Sequence, residues 1–291
     1  MDYTLENGKL KIEVSDAGGA LRSLVGKATN REYLWQGDPD IWNDRAPNLF
    51  PYIGRLYEGT YTYKGQKYNF KNHGLVRYFT LHANHTNQEL VFELQDNEET
   101  RKAYPFRFLY KVRYRLEGGS LHITYEVENQ DDKTMYFGVG GHPGFNVPIV
   151  DGLEFEDYYV AFDEGIKPDY MVFSEDFLNA GTKPYDGLVG NRLPLTHSLF
   201  DLDAIVLEGA GSFAEIASDK SPVSIRVDFP DMRYVGIWHK PKTQATYVCI
   251  EPWSSLPGRS GVMEDLEEQP DLVALEAGKT YRNEWMITIK E

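Results

Sequence analysis

The 291 residues carry 45 acidic and 30 basic side chains, a net charge of −15, with 41 % hydrophobic and 26 % charged residues. That balance fits a folded chain rather than a disordered one, and with no concentrated basic patch it argues against nucleic acid or an anionic membrane as partner. The single cysteine, Cys249, excludes an intrachain disulfide, and no signal peptide or membrane-length apolar run is evident, so a cytoplasmic protein is expected.

Aromatic residues make up 14 % of the chain, which favours pleated, half-buried strands. In chain order, Thr60–Tyr63 and Gln66–Phe70 flank Lys64-Gly65 as a hairpin, and Tyr78–Ala83 and Glu89–Leu94 flank a polar loop. A short helix is predicted over Asn97–Tyr104, ended by Pro105. From Phe106 to Leu116 apolar residues alternate with Arg107, Lys111, Arg113 and Arg115, and from Leu121 to Glu128 they alternate with polar and acidic residues. The turn Glu117-Gly118-Gly119-Ser120 joins the two as a hairpin whose charged faces complement each other. Val223–Phe229, Tyr234–Trp238, Thr246–Ile250 and Trp285–Ile289 are further strands, and Met263–Glu268 reads as a second short helix. No repeat or linker divides the chain. The expectation is all-β: one domain over residues 1–291, built as a large antiparallel β-sandwich.

Several segments interrupt this alternation. Arg55 sits among apolar neighbours in Phe50-Pro51-Tyr52-Ile53-Gly54-Arg55-Leu56, and a buried ion pair or a ligand would each explain it. His73 precedes Gly74, which allows a sharp turn that presents the imidazole; nearby Arg77 reads as solvated. Gly138, Gly140, Gly141 and Gly144 surround His142-Pro143. Strand propensity does not call for them, so the run reads as backbone brought close to a ligand, or as a glycine-rich bulge at a sheet edge. Glu251 ends an apolar strand just before Pro252, where desolvation would raise its pKa toward that of a useful base. Asp201 and Asp203 precede an apolar run and read as hydroxyl acceptors or turn caps. His82 and His85 lack metal-site spacing, no zinc motif or nucleophile elbow exists, and only a His73–His142–Glu251 triad would offer metal ligands.

Taken together, Asp16-Ala17-Gly18-Gly19-Ala20, the Phe50–Arg55 segment, Asn72-His73-Gly74, Gly141-His142-Pro143, Phe145-Asn146 and Ile250-Glu251-Pro252-Trp253 resemble the aldose 1-epimerase (galactose mutarotase-like) family, in its LacX-like bacterial branch. The resemblance implies a large antiparallel β-supersandwich with a sugar cleft and neither metal nor organic cofactor. It implies Glu251 as the general base at the anomeric hydroxyl and His142 as the general acid at the ring oxygen. Arg55, His73 and Asp203 become sugar-contacting positions, and Trp238 and Trp253 are candidates for stacking on the sugar or for the core. Asp203 stands before Ala204 where many mutarotases have Asp followed by His, which leaves the preferred sugar open. The implied reaction opens and recloses a free hexose, interconverting its anomers. A hexose 6-phosphate substrate, with Arg22, Arg77, Lys240 or Lys242 as added cations, is an alternative within the same chemistry. A glycoside hydrolase using Glu251 and Asp203, or a non-catalytic carbohydrate-binding protein, would be a different function.

Overall fold

Side-chain alternation at period two determines which surfaces of this chain meet. The computed structural model describes residues 1–291. In it Phe108–Glu117 and Ser120–Asn129 pair antiparallel through a two-residue turn, with Glu117 opposite Ser120. Tyr110, Val112 and Tyr114 point to the core, while Arg113 on the other face pairs with Glu89 at 2.6 Å and Glu126 at 3.5 Å. This hairpin lies within a nine-stranded antiparallel sheet. Beyond Ser120–Asn129 follow Thr280–Lys290, Ser221–Asp228, Phe213–Ser218, Tyr159–Ala161 and Arg192–Pro194; beyond Phe108–Glu117 come Glu89–Gln95 and His82–His85.

A second sheet of eight strands packs over it. Its order is Asn179–Pro184, Asp169–Phe173, Ile205–Glu208, Tyr234–Trp238, Tyr247–Trp253, Gly140–Gly141 and Asn48–Leu49, with Gly144–Asn146 also pairing to Tyr247–Trp253. A contiguous core of 63 buried residues draws side chains from both sheets, among them Tyr110, Tyr125 and Ile287 from the first and Val235, Ile237, Val248 and Ile250 from the second. Each such apolar side chain contributes roughly 1.5–3 kcal/mol when fully buried. The expected antiparallel β-sandwich is therefore the fold. Three smaller sheets, including a four-stranded one over Asp2–Glu6, Leu10–Ser15, Leu21–Gly26 and Arg31–Glu32, flank the two large ones. No helix is long and apolar enough to cross a membrane.

Two predicted elements differ. Met263–Glu268 forms no helix: Glu264–Asp265 runs parallel to Tyr61–Thr62, held extended because the buried Glu264 carboxylate takes Arg259 Nη2 at 2.8 Å and the Arg259 backbone N–H at 2.7 Å. Tyr78–Ala83 is not one strand. A 3-10 turn at Val76–Tyr78 reverses the chain first, Thr80 makes a single bridge to Ala17, and the strand itself begins only at His82. The other short helix forms over Glu98–Ala103, where Asn97 caps it by accepting from the N–H groups of Glu99 and Thr100.

Candidate active site

The strand Tyr247–Trp253 is buried along its whole length, yet its two faces have different tasks. Val248 and Ile250 enter the inter-sheet core. Tyr247 and Cys249 join a small outer cluster with Trp35, and Trp253 joins another with Leu49, Ile53 and Tyr234. Glu251 projects from that outer face between these two clusters, 1 % exposed. Gly236 lies directly opposite it, so no neighbouring side chain on the adjoining strand covers the carboxylate.

His142 reaches the same place from the break between the short strands Gly140–Gly141 and Gly144–Asn146. Its backbone N–H donates to Pro47 O at 3.1 Å, and the Pro143 carbonyl accepts from the Ile250 N–H at 3.3 Å. The glycines around it serve packing. A Cβ on Gly141 would stand 2.5 Å from the Trp285 ring, one on Gly144 2.8 Å from Trp42, and one on Gly138 2.1 Å from Ser255 Oγ. None of these three has a positive φ and all are buried, so they supply clearance for aromatic and polar side chains and are not an exposed edge bulge. Beneath them the Asn48 carboxamide donates to the Gly18 and Gly19 carbonyls and to Tyr114 Oη, and accepts from Tyr125 Oη at 2.9 Å. Tyr125 also donates to Gly140 O, which ties the strand leading into His142 to the nine-stranded sheet.

The result is a His142 Nε2 to Glu251 Oε2 separation of 3.3 Å. Glu251 Oε2 and His142 Nδ1 are buried without a hydrogen-bond partner. The His142 ring is stacked on Trp42 at 5.1 Å between centroids and meets Trp238 and His73 edge-on at 5.4 Å each. His73 adopts φ 65, and its Nδ1 accepts from the Gly54 N–H at 3.1 Å, which leaves Nε2 as the protonated nitrogen of the neutral ring.

These groups line a cavity of about 210 Å³, together with Arg55, Asn72, Arg77, Asp203, Trp238 and Phe177. That is below the roughly 300–1,000 Å³ of sites for drug-sized ligands, so it suits a monosaccharide-sized molecule. Six candidate residues from the sequence line this one space, Glu251, His142, Arg55, His73, Asp203 and Trp238, whereas Asp201 does not. Trp253 borders it as well but is 4 % exposed and belongs mainly to the packing around Leu49. Arg55 is no buried ion pair: it is exposed, has no carboxylate partner and lies over the Phe177 ring at 5.0 Å. Arg77 is not simply solvated, because it borders the cavity and bonds Asp44 at 2.7 Å. Arg22, Lys240 and Lys242 do not line the cavity. Trp42 and Phe177 had no strand-period signal, and only the fold brings their loops here. A wider recess of about 660 Å³ shares Arg55, Asn72 and Phe177 with the cavity and carries Glu58, Glu175 and Asp176.

Burial governs the electrostatics. It holds the His142 imidazole down to about 3, aided by the Arg77 charge. It likewise lowers His73 well below the ordinary histidine range, with His142 and Arg77 adding to the effect. The Glu251 carboxyl is pushed well above the usual carboxylate range by burial and then by Asp203, against the Trp253 indole and Arg77. Asp203, at the left-handed φ of 110, is raised by burial and opposed by the Ala204 N–H and the Trp238 indole. Burial thus favours a neutral pair with one shared proton, a carboxylic acid beside an uncharged imidazole.

The aldose 1-epimerase family model matches residues 1–287. The plasmid-encoded protein LacX of Lactococcus lactis subsp. lactis is 32 % identical over 303 aligned residues, covering 99 % of both chains. Among solved structures, a galactose mutarotase related enzyme from Lactobacillus acidophilus superposes with a TM-score of 0.94 at 36 % identity, covering 100 % of this chain and 98 % of that one. A galactose mutarotase-like protein from Lactobacillus casei ATCC 334 gives 0.93 at 32 % identity, with both chains fully covered.

Proposed function

This chain belongs to the aldose 1-epimerase family, and from that premise we propose that it interconverts the α and β anomers of a free hexose. Breaking the bond between the anomeric carbon and the ring oxygen requires a proton to leave the anomeric hydroxyl as another arrives at the ring oxygen. Glu251 takes the first and His142 supplies the second. The open-chain aldehyde then rotates about its C1–C2 bond and recloses with the two roles exchanged. Such positioned proton transfers each contribute roughly 10²–10⁴-fold.

The observation that carries this reading is the buried carboxylate–imidazole pair, 3.3 Å apart at the wall of one small cavity. Sugar hydroxyls donating to the unpartnered Glu251 Oε2 favour its ionised form, so the shared proton moves to His142 once substrate is bound. His73, Asp203 and Arg55 supply hydrogen-bonding groups, and Trp238 an aromatic wall. A hydrolase built on Glu251 and Asp203 would leave His142 without a task, and a binding module would need no acid–base pair. A neutral hexose is favoured over a phosphorylated one: Arg77 is already paired with Asp44, and the recess beyond Arg55 carries three carboxylates.

Polarimetry on freshly dissolved α-glucose and α-galactose tests the proposal. Wild-type protein should speed the change in rotation well beyond the buffer rate, and Glu251→Gln should lose that acceleration while still binding sugar. An unchanged rate in the variant, or release of sugar from an aryl glycoside without anomer exchange, refutes it.

A further inference from the structure

The strand that carries Glu251 places Cys249 two residues earlier, hence on the same face. Gly144 stands opposite Cys249 in register, with no side chain between the thiol and the histidine loop. As a result one donor atom each of His142, Cys249 and Glu251 lies within 4.8 Å of the other two. The three residues are 8 %, 0 % and 1 % exposed, and both His142 Nδ1 and Glu251 Oε2 lack partners. The His73–His142–Glu251 combination suggested by the sequence is a different set: His73 spends Nδ1 on the Gly54 N–H, and the third donor in reach is sulfur.

We propose that His142, Cys249 and Glu251 form a three-ligand site for a thiophilic divalent cation, zinc above all, whose binding closes the sugar cavity. Nitrogen, sulfur and oxygen donors suit a borderline-soft ion in a tetrahedral arrangement, with the fourth position facing the cavity and filled by water. Bonds of 2.0–2.3 Å would set ligand atoms ~3.3–3.8 Å apart. The imidazole and carboxylate already meet that spacing at 3.3 Å, so the thiol is the group that must move. Binding displaces the thiol proton and the carboxyl proton to solvent. The ion takes up both groups of the proposed acid–base pair and therefore competes with sugar. The site itself rests on donor geometry and stands whether or not the chain is an epimerase.

The experiment uses the full chain freed of metal with a chelating resin. Zinc is titrated against a chromogenic chelator, and cobalt is added separately to read the near-ultraviolet thiolate-to-metal band. One equivalent of zinc should bind, cobalt should give the thiolate band, and Cys249→Ser should bind zinc at least tenfold more weakly with no band. If the serine variant does not fold, as judged by circular dichroism, His142→Ala provides the affinity comparison and should bind zinc at least tenfold more weakly. Sugar turnover, measured against each protein's own zinc-free rate, should fall with zinc in wild type and recover with chelator. Absence of stoichiometric binding, or binding undiminished in these variants, overturns the proposal. Loss of turnover without a thiolate band places the inhibitory ion elsewhere and overturns it too; a band without any sugar turnover upholds this site and refutes the proposed function.

Discussion

The proton that the pair shares makes a quantitative prediction about acid pH. In the proposed reaction, activity requires one proton on His142 and Glu251 together, since a second removes the base and the loss of the only one removes the acid. The second proton must enter at an imidazole held at about 3 by burial and by Arg77. At pH 5 a histidine with the ordinary value of ~6.5 would leave only about 3 % of the pair singly protonated. With His142 at about 3, ~99 % of the pair remains competent, a difference of roughly thirtyfold in kcat/KM at that pH. The alkaline limb follows Glu251, raised by burial and Asp203, so the plateau extends upward from the acid side past the ordinary carboxylate range. Polarimetric kcat/KM from pH 3.5 to 9, with the buffer-catalysed rate subtracted, measures this directly. An acid limb with its midpoint between pH 6 and 7 would show that His142 is not desolvated as argued, or that a different histidine carries the reaction.

Three further outcomes follow from the same geometry. Arg77→Gln removes a positive charge that depresses both His142 and Glu251, so both limbs of the profile should move to higher pH; a profile that stays in place contradicts the electrostatic assignment. Asn48→Ala removes the bond to the Gly18 carbonyl and leaves the Tyr114 hydroxyl only the Gly19 carbonyl and the Tyr125 hydroxyl only the Gly140 carbonyl, and should cost roughly 1–3 kcal/mol. At ~2–4 °C per kcal/mol that lowers Tm by about 2–12 °C in calorimetry. For Glu251→Gln, the sign comes from the raised carboxyl: the folded chain keeps a proton that the unfolded chain releases above the usual 4.5. Stability from that proton is full below pH 4.5 and is lost as pH rises through the folded value. Glutamine has no such loss, so the Tm of the variant relative to wild type should climb between pH 5 and 8; a constant difference would argue against a desolvated Glu251.

Much of this site could be read from the chain because its residues break strand logic. Glu251 at the end of Tyr247–Ile250, and His142 among glycines, are costly choices for a sheet that needs no chemistry there. The glycines themselves were misleading, since clearance for Trp285 and Trp42 depends on which distant rings they meet, which no local pattern encodes. Arg77 reads as solvated and Trp42 carries no signal for a similar reason: a 3-10 turn and an irregular loop carry them to the cavity rim. The Met263–Glu268 segment has helical spacing, and tertiary capture of Glu264 by Arg259 overrides it.

The carboxamide of Asn48 links the two large sheets at the foot of the strand leading into His142. One side chain thereby couples catalytic alignment to the cooperative stability of the whole sandwich. Heat or denaturant should then abolish turnover and tertiary structure in a single concerted transition, and evolutionary retuning for a different sugar has its freedom at the Phe177 rim and little at the foundations.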